Sequence, residues 1–228
     1  MCANYHSART AFIEACIAED IQGDVFADRE VYPGGKGPVI LLDKETGKRR
    51  CEPGIFGLVP HWVRTPQEAK QRMRGNYNAR SETVAQKPSF KAAWQHGNFC
   101  LIPVRNIYEP RYTSETDSER WSIARNDAPD FCIAGIYWRP KGEGLTEGLA
   151  TFSMLTMNCD GNEILSLFHA PADEKRSIVH VLPDEYDAWL TATTELARVM
   201  LTLPDADKLA IAPSPRPPRT KKATETET

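Results

Sequence analysis

Five short runs rich in β-branched and aromatic residues constrain the fold of this chain more than any other feature: GPVILLD (37–43), FCLIPV (99–104), FCIAGIYW (131–138), ATFSMLTM (150–157) and SIVHVL (177–182). Each has the length of a strand and is too short for an amphipathic helix. Helical spacing is found elsewhere. SARTAFIEACIAED (7–20) puts Phe12, Ile13, Cys16 and Ile17 on one side, with Ser7 as the expected cap. Two more stretches, PSFKAAWQHG (88–97) and DEYDAWLTATTELARVMLTL (184–203), also read as helical. No segment repeats at a fixed period, and strands outnumber helices. The expectation is a single α+β domain over residues 1–211, with a curved, largely antiparallel sheet and flanking helices.

From Ala212 the sequence changes character. APSPRPPRTKKATETET has no aromatic residue and is rich in Pro, Thr and charge, so residues 212–228 are expected to form a disordered tail. Its RPPRTKK portion is suited to sequence-independent phosphate affinity. The whole chain carries a formal net charge of -3, so any nucleic-acid surface has to be a local cluster of Lys and Arg. The six cysteines, at 2, 16, 51, 100, 132 and 159, are too scattered for a CxxC metal or redox motif. Most lie in apolar runs, as core thiols do. No metal and no cofactor is expected. The N-terminus lacks the basic and apolar segments of a secretory signal, and no apolar run reaches the roughly 18 residues of a membrane span. A cytoplasmic monomer with no membrane partner is the expectation.

The chain begins Met-Cys. Cysteine is small enough for Met1 to be trimmed, which would leave Cys2 with an α-amine and a thiol on one residue. Further along come FGLVPHWV (56–63), NARSET (78–83), WQHGNFCLIP leading to IYEP (94–110), FCIAGIYW, and FHAPADEKRSIVHVLP (168–183). In this order the segments resemble the SOS-response-associated peptidase, or SRAP, family, from residue 2 to about 190. The resemblance implies a twisted, barrel-like sheet. It also implies a protein that recognises abasic sites in single-stranded DNA and becomes covalently attached to them through its mature N-terminal Cys2.

The chemistry of the residues agrees with that implication. An abasic sugar equilibrates with an open-chain aldehyde, and an α-amine of pKa near 8 is deprotonated in roughly a tenth of molecules at pH 7. The amine attacks to give a Schiff base, and the thiol of the same residue closes a thiazolidine ring at high effective molarity. Dehydration of the carbinolamine needs an acid. The family match points to Glu109 for this, although a surface Glu in a turn before Pro110 would read the same way. His169 matches the family's histidine, and a pKa near neutrality suits it to assist ring opening; a structural histidine is the alternative. Asn78 has a donor and an acceptor with which to orient the amine and the sugar oxygen.

Arg80 is the leading candidate for a phosphate contact. Arg176 is a second, equally able to pair with Asp173 or Glu174. Trp62 is suited either to stacking on a base beside the lesion or to burial. Glu82 is positioned in sequence to orient Arg80 or the N-terminus. The chain also departs from the family pattern. Ala3-Asn4-Tyr5 replaces a Gly-Arg-Phe type run, Val104-Arg105-Asn106 precedes the aromatic pair, Pro110 follows Glu109, and the stretch from His169 to Arg176 is long. Two other readings remain open: a peptidase with Cys2 as nucleophile and Glu109 or His169 as base, and a non-covalent single-strand binder using Trp62, Arg80 and the tail.

Overall fold

The apolar runs pair into one sheet. In a computed structural model, which describes residues 3–142 and 144–216, twelve strands join: β1 (Asn4–Ser7), β2 (Glu30–Val31), β3 (Lys36–Leu42), β4 (Arg49–Phe56), β5 (Asn78–Arg80), β6 (Phe99–Tyr112), β7 (Ser118–Arg125), β8 (Phe131–Trp138), β9 (Ala150–Asn158), β10 (Arg176–Ile178), β11 (His180–Val181) and β12 (Leu209–Pro213). Helices α1 (Thr10–Ile17), α2 (Pro66–Gly75), α3 (Pro88–Gln95), α4 (Tyr186–Leu190) and α5 (Thr194–Val199) flank them. The sheet is mixed. β4 and β5 run parallel to β9, and the other described pairings are antiparallel. β8, β9, β4, β3 and β6 pair in a closed circuit.

Successive side chains in a strand point to opposite faces, so each run feeds two cores. Cys132, Ala134 and Ile136 of β8 and Leu155 of β9 pack with Ile13, Cys16, Trp94, Trp189 and Leu190 from the helices. Ile133 of β8, Phe152 and Met154 of β9, and Ile102 and Ile107 of β6 line the other face, together with Tyr5, Phe56 and Phe168. The indole N–H of Trp189 donates to the Cys100 carbonyl at 2.9 Å and so fastens α4 to β6. In the FGLVP segment Gly57 has φ +121°, and a Cβ there would lie 2.0 Å from the Met73 carbonyl oxygen. Only glycine fits that approach.

Several sequence expectations shift. Ser7 does not cap α1: it ends β1, and its hydroxyl accepts from the Arg29 N–H at 3.0 Å, while Arg9 occupies the cap. The 177–182 run splits into β10 on β9 and β11 on β8, because Val179 between them bonds both neighbours, donating to the Leu155 carbonyl and accepting from Ala134 N–H. The expected 184–203 helix breaks into α4 and α5, where Thr193 caps the second by accepting from Leu196 N–H. Ala212 to Arg216, expected within the tail, are instead held: Ala212 and Pro213 pair with Ser122 and Trp121. Ser214 N–H donates to the Arg120 carbonyl at 2.8 Å, and the Arg216 guanidinium lies over the Tyr32 ring. Residues 217–228 of the expected tail lie outside the described residues.

Candidate functional site

Strand β6 runs far beyond the apolar FCLIPV segment, and its second half carries Glu109. A shift of register against β1 between His6 and Ser7 sets Ile107 on the face away from the helices, and alternation places Glu109 there too. The carboxyl group is 3% exposed, not on a surface turn. Pro110 is tolerated in this strand because, among the described residues, the strand beyond Tyr108, which pairs with Asn4, continues to pair only with β7. Burial pushes the Glu109 carboxyl up to about 7.

The antiparallel pairing of β1 with β6 carries the start of the chain to the same place. Ala3, Asn4, Tyr108, Glu109, Arg120 and Arg216 line one cavity of about 320 Å³. Cys2 lies outside the described residues, and Ala3, to which it is bonded, lines this cavity. Asn4 is buried and donates from its amide to Glu30, which also accepts from Arg120. The Arg120 guanidinium lies 3.4 Å from the centre of the Tyr108 ring and donates to the Ser214 carbonyl at 3.0 Å. Sequence reasoning missed Arg120, because the charged SERWSIAR segment is not among the expected strands and β7 forms through its pairing with β6.

His169 reaches Glu109 from a turn. Its backbone N–H donates to the Pro110 carbonyl at 3.0 Å, and Nε2 stands 3.5 Å from Oε2 of Glu109. The residue has φ +74°, an uncommon conformation for a side chain of this size. Lys175 holds the turn from the other end, donating to the carbonyls of His169 (3.2 Å) and Ala170 (2.6 Å). Burial pushes the imidazole down to about 4. The expected near-neutral pKa is thereby corrected: removal of the ring from water disfavours its charged form, so it is uncharged at neutral pH.

Asn78 opens β5, opposite Met154 of β9. Ala79 belongs to the helix-side core, so Asn78 and Arg80 face the other way, to the side that holds Glu109. Arg80 is 49% exposed in its side chain and donates to Glu174 Oε2 at 2.8 Å. Arg176 is not a surface residue. Its side chain is 2% exposed, and its guanidinium donates to Glu82 Oε2 (2.7 Å), Glu174 Oε1 (2.5 Å) and the Thr156 carbonyl (2.8 Å). Glu82 therefore holds Arg176, a role outside the two weighed from sequence.

Trp62 faces a different cavity. It is half-buried against Ile55, Val59 and Met73, beside His61, Lys91, His96 and Trp138 in a groove of about 750 Å³. Trp138 packs on the helix-side core, so this groove and the Glu109 cavity lie on opposite faces of the sheet. The remaining cysteines offer no activated thiol here. Burial raises Cys51 and Cys159 to about 12 and Cys100 and Cys132 well above the usual range; Cys16, lowered by a hydrogen bond with Cys132, sits in the helix-side core.

Glu109, His169, Asn78 and the approach to the N-terminus thus share one face, while Trp62 does not. Among solved structures, a protein of Bordetella bronchiseptica is similar over 93% of this chain and 99% of its own, with a TM-score of 0.82 and 27% identity. A Bacteroides thetaiotaomicron protein shares the fold at a TM-score of 0.76 and 23% identity, over 92% of this chain and 90% of its own. Among curated proteins, the abasic site processing protein HMCES of Xenopus tropicalis is 25% identical over 162 residues, covering 60% of this chain and 47% of that protein. The Rattus norvegicus protein of that name is 30% identical over 121 residues, 46% of this chain and 34% of that protein. The chain spans about half the length of the first of these relatives. The family model for the SOS response associated peptidase (SRAP) matches residues 1–215, nearly the whole chain, and the chain belongs to that family.

Proposed function

We infer that this protein captures abasic sites in single-stranded DNA and bonds to them through Cys2 once Met1 has been removed. The observation that carries the reading is the delivery of Ala3 and Asn4 by β1 into the cavity of Glu109. One peptide unit, about 3.8 Å between Cα atoms, separates Cys2 from Ala3. The names of the curated relatives, which refer to abasic site processing, support the choice of substrate.

In this reading His169, uncharged at neutral pH, takes the proton of the anomeric hydroxyl as the bond from the anomeric carbon to the ring oxygen breaks, and passes that proton to the ring oxygen, leaving an aldehyde and a free hydroxyl. The free amine of Cys2 attacks the aldehyde carbon and forms a carbinolamine, oriented by the amide of Asn78. Glu109 protonates the carbinolamine hydroxyl, which leaves as water, and the nitrogen lone pair forms the imine. The Cys2 sulfur then adds to the imine carbon while the nitrogen regains a proton, closing a thiazolidine with one water released overall. A carboxyl group with a pKa near 7 is suited to such proton transfer. Arg80 supplies a phosphate contact, and Arg176, buried and held by Glu82 and Glu174, positions the loop beside it.

The test is an oligonucleotide with one abasic site, mixed with protein whose N-terminal mass has been measured. The expected result is a band that survives denaturing electrophoresis, is absent for Cys2→Ala, and maps to Cys2. An adduct on another residue, or retained Met1 with undiminished adduct, would overturn the reading. Cleavage of a peptide substrate without adduct would favour the peptidase.

A further inference from the structure

The long stretch between His169 and Arg176 places a carboxylate between two arginines. Glu174 Oε2 accepts from Arg80 Nη1 at 2.8 Å, and Oε1 accepts from Arg176 Nη1 at 2.5 Å and from Asn158 Nδ2 at 3.4 Å. Two anionic oxygens bridging two guanidinium groups is the arrangement a DNA phosphate would adopt there. We propose that Glu174 is an internal stand-in for a backbone phosphate, which holds Arg80 until DNA displaces it and so weakens the grip of the site on strands that carry no lesion. The proposal rests on the reading of Arg80 as a phosphate contact.

Differences in exposure assign the parts. Arg176 is 2% exposed and keeps Glu82 and the Thr156 carbonyl as partners when Glu174 leaves. Arg80 and Glu174 are 49% and 37% exposed, so water and phosphate reach both ends of their contact. An ion pair this open is weak, and a phosphate on a nucleic acid, surrounded by others, competes with it readily. Held binding to undamaged DNA then leaves retention to the covalent step, which only an aldehyde permits. Glu174 thereby acts as a specificity-determining residue rather than a catalytic one.

The experiment measures fluorescence anisotropy of an undamaged, labelled thymidine oligomer of about 20 nucleotides with the full chain and its variants. Glu174→Gln, which keeps the shape and removes the charge, is expected to bind roughly two- to five-fold more tightly at low salt, with the gain vanishing as salt screens the contact. Asp173→Asn removes the same charge one residue earlier and is expected to change affinity by less than half that factor. In an Arg80→Ala background, Glu174→Gln is expected to gain nothing beyond the Asp173→Asn effect. Weaker or unchanged binding by Glu174→Gln, or an equal gain without Arg80, overturns the proposal. If Arg80→Ala alone leaves affinity unchanged, the phosphate role of Arg80 fails as well; if it lowers affinity while Glu174→Gln does not raise it, only the stand-in fails. Thermal melting of each variant establishes that it is folded.

Discussion

Two buried histidines lie in different regions of this molecule, and burial alone does not separate them. His180, on β11, is pushed down to about 3 by burial and by the neighbouring Arg125. It lies 4.5 Å from the Phe131 ring, centre to centre, and its Nδ1 is 3.3 Å from Arg125 Nη1. Arg125 is itself paired with Asp127 at 2.6 Å, so the charges are satisfied and the backbone is an ordinary strand. His169 is also neutral, but its φ is positive, its neighbour is the buried Glu109, and both ring nitrogens lack a hydrogen-bond partner among the described residues. The difference teaches that function is to be sought where a buried polar group is held open at the cost of strain, not merely where a pKa is displaced.

The comparison breaks most visibly at Glu109. Glu109→Gln is expected to slow adduct formation by about a hundred-fold or more, measured with the abasic oligonucleotide, whereas His180→Phe is expected to stay within about two-fold of the parent rate. The parent rate should peak between roughly pH 7 and 8, because the Glu109 acid is lost above about 7 while the amine is freed only near 8. A flat profile would remove Glu109 from proton transfer.

Stability sharpens the same contrast with opposite signs. Glu109 binds its proton more tightly folded than unfolded, so its contribution is full below pH 4.5 and is lost as pH rises to about 7. The shift corresponds to roughly 3 kcal/mol, and the stability difference between parent and Glu109→Gln should change by about that much across the window in denaturant titrations. His180 binds its proton less tightly folded than unfolded, so its unfavourable effect grows as pH falls from 6.5 to about 3. His180→Phe should therefore flatten the acid side of the stability profile. The smallest effect is expected at Lys175, which positions the His169 turn. Lys175→Met should slow adduct formation by roughly three-fold, and an unaltered rate would mean that the turn holds without it.

Sequence marked the fold where side-chain pattern and structure coincide. The runs at 131–138 and 150–157 are β8 and the bulk of β9, because each is apolar on both faces and is buried on both. Strand β7 and the second half of β6 escaped, since SERWSIAR and RNIYEPRY carry charge and are stabilised by their pairing with each other, which no local window contains. The site divides likewise. Glu109, His169 and Asn78 were recognisable through short segments, and they fall on one face. Arg176 and Trp62 were not resolvable, because whether an arginine or a tryptophan meets solvent depends on what packs over it. The partners Glu30, Arg120 and Lys175 had no signature at all, being brought in by topology.

Strand β9 serves as the common ruler of the site. Asn78 and Arg80 are set against its Met154 and Thr156, and Ser177 and Ile178 against its Met157 and Thr156. Adding or deleting one amino acid between Phe152 and Thr156 would turn the following side chains inside out relative to these partners. Length drift in this segment would therefore separate the arginine and asparagine of β5 from the strand that carries the end of the 169–176 turn.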